Sequence, residues 1–242
     1  MGTQMKALLN NRFAPLTFKW GFVEGPFAQV SEAFLRWREQ LDKNSGVHTE
    51  SKSFRASLSE SLSKLEPLTT PLNRYLLTET RGGWSAIFAN GLRGNDVASP
   101  VSYLPQILGC RGLEVACTPD RSKTADRDEL QIYGTVKFIL HGPNETDWLN
   151  RIRDISLWND FSGWEFAAEG EIQPFEQTEN YQRRRKVDRF TPEMLESYCG
   201  ALGIDLFNSD SYGEDCLLLH TMGQRFRGPA MSLAEARSHV HI

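Results

Sequence analysis

Long apolar runs are missing from this 242-residue sequence. None approaches the roughly 20 residues that a membrane-crossing helix needs. The opening MGTQMKALLNNRFAP has neither the apolar stretch nor the small-residue cleavage site of a secretory signal. Lys6 stands where a myristoylation pattern wants Ser or Thr. A cytoplasmic protein is the expectation, with no membrane partner. Excess charge is missing too: a net charge of -4 gives no overall pull toward nucleic acid.

Cysteine is scarce. Cys110, Cys117, Cys199 and Cys216 form no C-x-x-C pair, and two of them sit in apolar runs, so buried free thiols are expected. The catalytic signatures G-x-x-x-x-G-K-S/T, G-x-G-x-x-G, G-x-S-x-G and H-E-x-x-H are all absent. Among five histidines the closest pair is His239-x-His241 at the chain end, a poor metal site. His220 lies in an apolar run and reads as a hydrogen-bonded core residue. No cofactor and no metal are expected, and no catalytic residue can be named.

What is present is periodicity. Leu16, Phe18, Trp20 and Phe22 alternate as a strand, and Phe34, Leu35, Trp37, Arg38 and Leu41 recur at helical spacing. Residues 43–53 are polar and read as a loop. A second helix carries Leu58, Leu62 and Leu65 until Pro67 stops it. RYLLTET (74–80) and WSAIFA (84–89) flank Arg81-Gly82-Gly83, a hairpin signal. Strand 84–89 is apolar on both faces, as a central strand requires. A helix capped by Ser99 and Pro100 runs to Gly109, followed by strand 113–118 and a solvated connection at 120–129.

Strand 131–141 alternates, with His141 on its polar side. Asn144 caps a helix from Glu145 to about Leu157, facing Trp148, Ile152 and Ile155 inward. Strand 164–172 puts Trp164, Phe166, Ala168 and Ile172 inside. Further on, Thr191 and Pro192 open a helix, 216–222 is a strand, and Ser232 with Glu235 forms a capping box. The fold class read from this order is α+β, with a mostly antiparallel sheet. Its core, about 84–173, has the β-α-β-β-α-β order of a ferredoxin-like unit. The chain reads as one α+β domain over 1–242, with a core at 74–173. An N-terminal β-α-α (14–66) and a C-terminal α-β-α (178–242) pack on it.

Three surfaces carry candidate binding residues. The 91–96 loop, with Arg93, Asn95 and Asp96, enters a helix, where backbone N–H groups and the helix dipole favour an anion; Arg111 could assist. Glu165, Glu169 and Glu171 form an acidic row along one strand, better suited to a basic partner than to catalysis, because strand spacing keeps them ~6.6 Å or more apart. Arg183, Arg184 and Arg185, with Lys186 and Arg189, are the dense basic segment, balanced by nearby acids and poor in aromatics for stacking bases.

Three stretches, WSAIFANGLRGNDVASPVSYLPQILGCRGLEV, VKFILHGPNETDWLNRIRD and DRFTPEMLESYCGALGID, resemble a family of uncharacterised bacterial cytosolic proteins over most of 74–206. That resemblance implies no assigned activity. In size and acidity the chain is similar to the immunity partners of polymorphic or contact-dependent toxins, a likeness of character with no shared motif. The leading expectation is a non-catalytic protein-binding module, a toxin-neutralising immunity protein. A small-molecule or nucleotide-binding protein, or an enzyme acting on a phosphorylated ligand through the 91–96 loop, is second. A nucleic-acid-binding role through 183–189 is third.

Overall fold

The computed structural model describes residues 6–43, 45–92, 96–120, 132–160, 162–223 and 228–239. In chain order the elements are β1 (Lys19–Glu24), α1 (Phe27–Asp42), β2 (His48–Arg55), α2 (Leu58–Ser63), β3 (Leu68–Thr69), β4 (Arg74–Thr80) and β5 (Trp84–Ala89). They continue with α3 (Ala98–Leu108), β6 (Gly112–Thr118), β7 (Thr135–Thr146), β8 (Leu149–Asp160), β9 (Gly163–Gly170), α4 (Pro192–Ala201), β10 (Tyr212–Met222), β11 (Ala230–Met231) and α5 (Leu233–His239). Short 3₁₀ turns occupy Thr178–Gln182 and Lys186–Asp188.

Nine strands make one sheet in the order β2-β10-β4-β5-β1-β6-β7-β8-β9, and every neighbouring pair is antiparallel. The N-terminal portion does not pack on the outside of a finished core: β1 sits inside the sheet, between β5 and β6. Likewise β10, from the C-terminal portion, lies between β2 and β4. As expected, β5 is buried along its whole length.

Two layers cover the sheet. On one face Trp20, Phe22, Leu76, Phe88, Val115 and Phe138 pack beneath α2, α4 and α5. On the other, Val23, Leu77, Ile87 and Leu219 pack beneath α1 and α3. Helix α3 lies close to the sheet because Gly21 and Gly112 are bare: a Cβ on Gly21 would collide with the Val101 side chain, and one on Gly112 with the Val101 carbonyl oxygen. Gly109, at φ 68°, turns the chain out of α3 as a left-handed C-cap.

The ferredoxin-like reading needs correction. Residues 145–157 form no helix; Asn144 is inside β7, and 149–160 is strand β8. Ile155 and Leu157 are buried on one side while Asp154, Ser156 and Trp158 share the other, so period two wins over the helical spacing of Trp148, Ile152 and Ile155. The second crossover therefore disappears and β6 to β9 are a meander. The first survives in altered form: β5-α3-β6 connects parallel strands with β1 inserted between them. The loop read at 43–53 is also mostly strand, β2, polar because it is a sheet edge. Ile172, read as inward, is 61% exposed, because Gly170 at φ 90° ends β9 before it. The connection read at 120–129 lies, apart from Asp120, outside the described residues.

Candidate functional site

Helix α3 sits over the start of β6 and the His141 end of β7, and the rest of this sheet face, out to β9, lies beyond the core cluster that α1 and α3 build. Across that part, paired positions line up in rows. Lys19, Ala116, Lys137, Ser156 and Ala167 form one row; Gly21, Glu114, Ile139, Asp154 and Glu169 form the next. Thr118, Thr135, Trp158 and Glu165 form a third. The floor is thus polar and of mixed charge. Burial pushes the Glu114 carboxyl up, against the opposing pull of Lys137 and Lys19. It pushes the Lys19 ammonium down, helped by Lys137 and opposed by Glu114. Both groups are drawn toward their neutral forms by lost hydration.

A groove of about 330 Å³ runs over the β7–β9 part of this floor, lined by Lys137, Trp148, Asp154, Ser156, Trp158 and Glu169, with Lys19 and Glu114 in the rows beyond it. Its outer wall is the β7–β8 hairpin. β6 pairs with β7 only as far as His141, and β9 with β8 only from Arg153, so the hairpin end projects past both neighbours. Trp148 and Leu149 at its tip are 41% and 64% exposed. The tip is braced: the Arg151 guanidinium lies 4.2 Å over the Trp148 ring and 3.2 Å from Asp154, and Ser156 donates to Asp154 at 2.6 Å. Asn150, fully buried at the base, donates to the Ser102 carbonyl of α3 and to that of Gly142. An exposed aromatic held in place by its neighbours is what an interaction anchor requires.

The residues singled out in the sequence fall in four places. Arg93 and Asn95 lie outside the described residues. Asp96 is exposed and accepts from the Ala98 N–H at the entrance to α3. Arg111 is at the opposite end of that helix, about 16 Å away at 1.5 Å per residue. There it grips Glu24 with Nε at 2.8 Å and Nη2 at 2.7 Å, which lowers the Glu24 carboxyl and raises the guanidinium. It is a clamp between the ends of β1 and β6, not a companion of the 91–96 loop.

Glu165 and Glu169 share the open face, as expected; Glu171 follows the end of β9 and is exposed, its N–H donating to the Ile152 carbonyl. The basic segment follows the Thr178–Gln182 turn and holds one 3₁₀ turn of its own, Lys186–Asp188, beside β9. Lys186 donates to Glu165 at 2.6 Å, and Arg189 lies over the Phe166 ring. Arg185 approaches Asp188 at 3.6 Å, Arg183 donates to the Asp188 carbonyl at 3.5 Å, and Arg184 is exposed. Two separate sequence features, acidic and basic, therefore meet at one sheet edge.

No family model, curated protein or solved structure matches this chain. Its chemistry rests on its own residues. Among the described residues, no group of three or more His, Cys, Asp or Glu is placed to hold a metal ion. All four cysteines are free, and three are buried. His220 is half-buried and meets Asn73 at 3.5 Å. No described helix is long and apolar enough to cross a membrane.

Sequence reasoning missed Lys19, Glu114, Lys137 and Trp148 as site residues. The first three come from strands far apart in the chain, and only register brings them side by side. Trp148 reads in the sequence as part of the buried face of a helix, and that helix does not form.

Proposed function

We propose that the chain is a non-catalytic protein-binding module whose partner is a toxin domain, in the manner of an immunity protein. The observation that carries the reading is the braced, exposed Trp148 at the tip of a projecting hairpin, next to a groove of fixed charges. Aromatic anchors surrounded by satisfied polar groups concentrate binding energy. The mixed charge of the floor supplies complementarity to a partner surface, which sets orientation and rate of encounter. Size-exclusion chromatography and calorimetry with the product of the neighbouring reading frame test it. A stable complex is expected, and Trp148→Ala should weaken it by about 2 kcal/mol, roughly thirtyfold. Failure of the neighbouring product to bind, or unchanged affinity in the variant, would count against the proposal.

A further inference from the structure

The sheet has two edges, and they are built differently. β2, HTESKSFR, carries a single apolar residue, Phe54, and so is protected by polarity. β9, GWEFAAEG, keeps Trp164, Phe166, Ala167 and Ala168 at the opposite edge, all half-buried.

Hydrogen-bond phase shows what β9 offers. The Glu171 N–H donates to the Ile152 carbonyl at 2.8 Å, continuing the β8–β9 register. Since bonded pairs alternate along an antiparallel ladder, Glu165, Ala167 and Glu169 direct their backbone groups at β8. The Asn159 N–H donating to the Gly134 carbonyl gives β8 the same phase from its other side. Trp164, Phe166 and Ala168 therefore turn their N–H and C=O groups outward. Beyond them the edge is closed, because the Gly170 carbonyl is taken by Arg153 at 3.1 Å.

The side chains flanking this edge differ by face. Glu165 and Glu169 stand on the open face. On the other face a groove of about 470 Å³ has an apolar part formed by Phe166, Ala168, Ile172 and Tyr181 and a polar rim that includes Gln182 and Arg189. From this we infer that β9 is a docking edge for an extended segment of a protein partner, one that alternates apolar and basic residues. Its backbone would pair with Trp164, Phe166 and Ala168, its apolar side chains would enter the groove, and its basic ones would meet the exposed Glu169 and displace Lys186 from Glu165. Symmetric pairing with a second copy centred on Ala167 sets Glu165 opposite Glu169, like against like, and a register centred on Phe166 avoids that clash.

The inference rests on the protein-binding reading, and its test needs no natural partner. The probe is a short capped peptide of alternating valine and lysine, added to the full chain. Controls are the same composition in block order and the alternating peptide N-methylated on the backbone nitrogens that would face β9. Amide exchange at 164, 166 and 168 should slow by about tenfold or more with the first peptide and not with either control. Ala168→Pro removes an outward N–H and leaves the β8 ladder intact, so it should weaken binding by about tenfold, whereas Ala168→Ser should not. Unchanged exchange, or equal protection by the block or N-methylated peptide, overturns the inference. So does a dimer in light scattering that Ala168→Pro dissolves, which would give the edge to a second copy. A natural complex that Ala168→Pro leaves at full strength, together with no peptide protection, removes the docking edge while the binding module stands.

Discussion

His141 is a buried imidazole that the fold keeps neutral. It is 2% exposed, and burial lowers its pKa from 6.5 to about 4. Asn150 commits its amide N–H groups to two carbonyls, so its Oδ1 accepts from the His141 Nδ1–H, which fixes the tautomer. Nε2 is then a buried acceptor with no hydrogen-bond partner. The Asn150 hydrogen bond and Asp154 partly offset the burial, while Arg151 disfavours the cation further. Between pH 6.5 and 4 the unfolded chain binds a proton that the folded chain refuses. His141 therefore costs stability as pH falls through that window, about 3 kcal/mol in all, and nothing above it. His141→Gln should flatten the fall in denaturation free energy between pH 7 and 5 relative to the parent. Identical slopes would show that the imidazole is not held neutral. Asn90 is a second residue whose role is spatial. It is fully buried, accepting from the Asn73 and Arg74 N–H groups and donating to the Pro67 carbonyl at 2.8 Å.

At the scale of elements, the seat of α3 is the most constrained contact on the helix-covered face. Gly112→Ala pushes a methyl against the backbone of Val101, whereas Gly21→Ala presses on the side chains of Val101 and Val97. Both should destabilise by about 1–3 kcal/mol in urea titrations, with Gly112→Ala the costlier because a carbonyl cannot rotate away. Equal or negligible losses would mean that α3 shifts freely on the sheet. Local pattern made several elements legible. The Arg81–Gly83 hairpin, the two-faced burial of β5, the Thr191 cap on α4 and the Ser232–Glu235 box all depend on residues a few positions apart. The β8 segment was misread because Trp148, Ile152 and Ile155 satisfy a helix as well as Ile155 and Leu157 satisfy a strand. Choosing between them takes the neighbours β7 and β9, which are tertiary information. The candidate site was less legible still: Glu165 and Glu169 were visible as a row, while Lys19, Glu114 and Lys137 became neighbours only through sheet order.

For the whole molecule, sheet order makes the two ends of the chain structurally indispensable. β10 pairs with β2 on one side and β4 on the other, so ending the chain at Ser211 would leave β2 without a partner strand and expose Leu76 and Leu77 on a new edge. Such a truncation should give little soluble protein and no near-ultraviolet circular dichroism. A native-like spectrum would refute that dependence. The place of β1 has a consequence for synthesis. KWGFVE leaves the ribosome early, yet its partners are β5 and β6, and the second of these ends at Thr118. At typical elongation rates the strand waits roughly 5–20 s for both neighbours. During that interval Trp20, Phe22 and Val23 are unpaired apolar surface in a nascent chain, before they are the middle of a sheet.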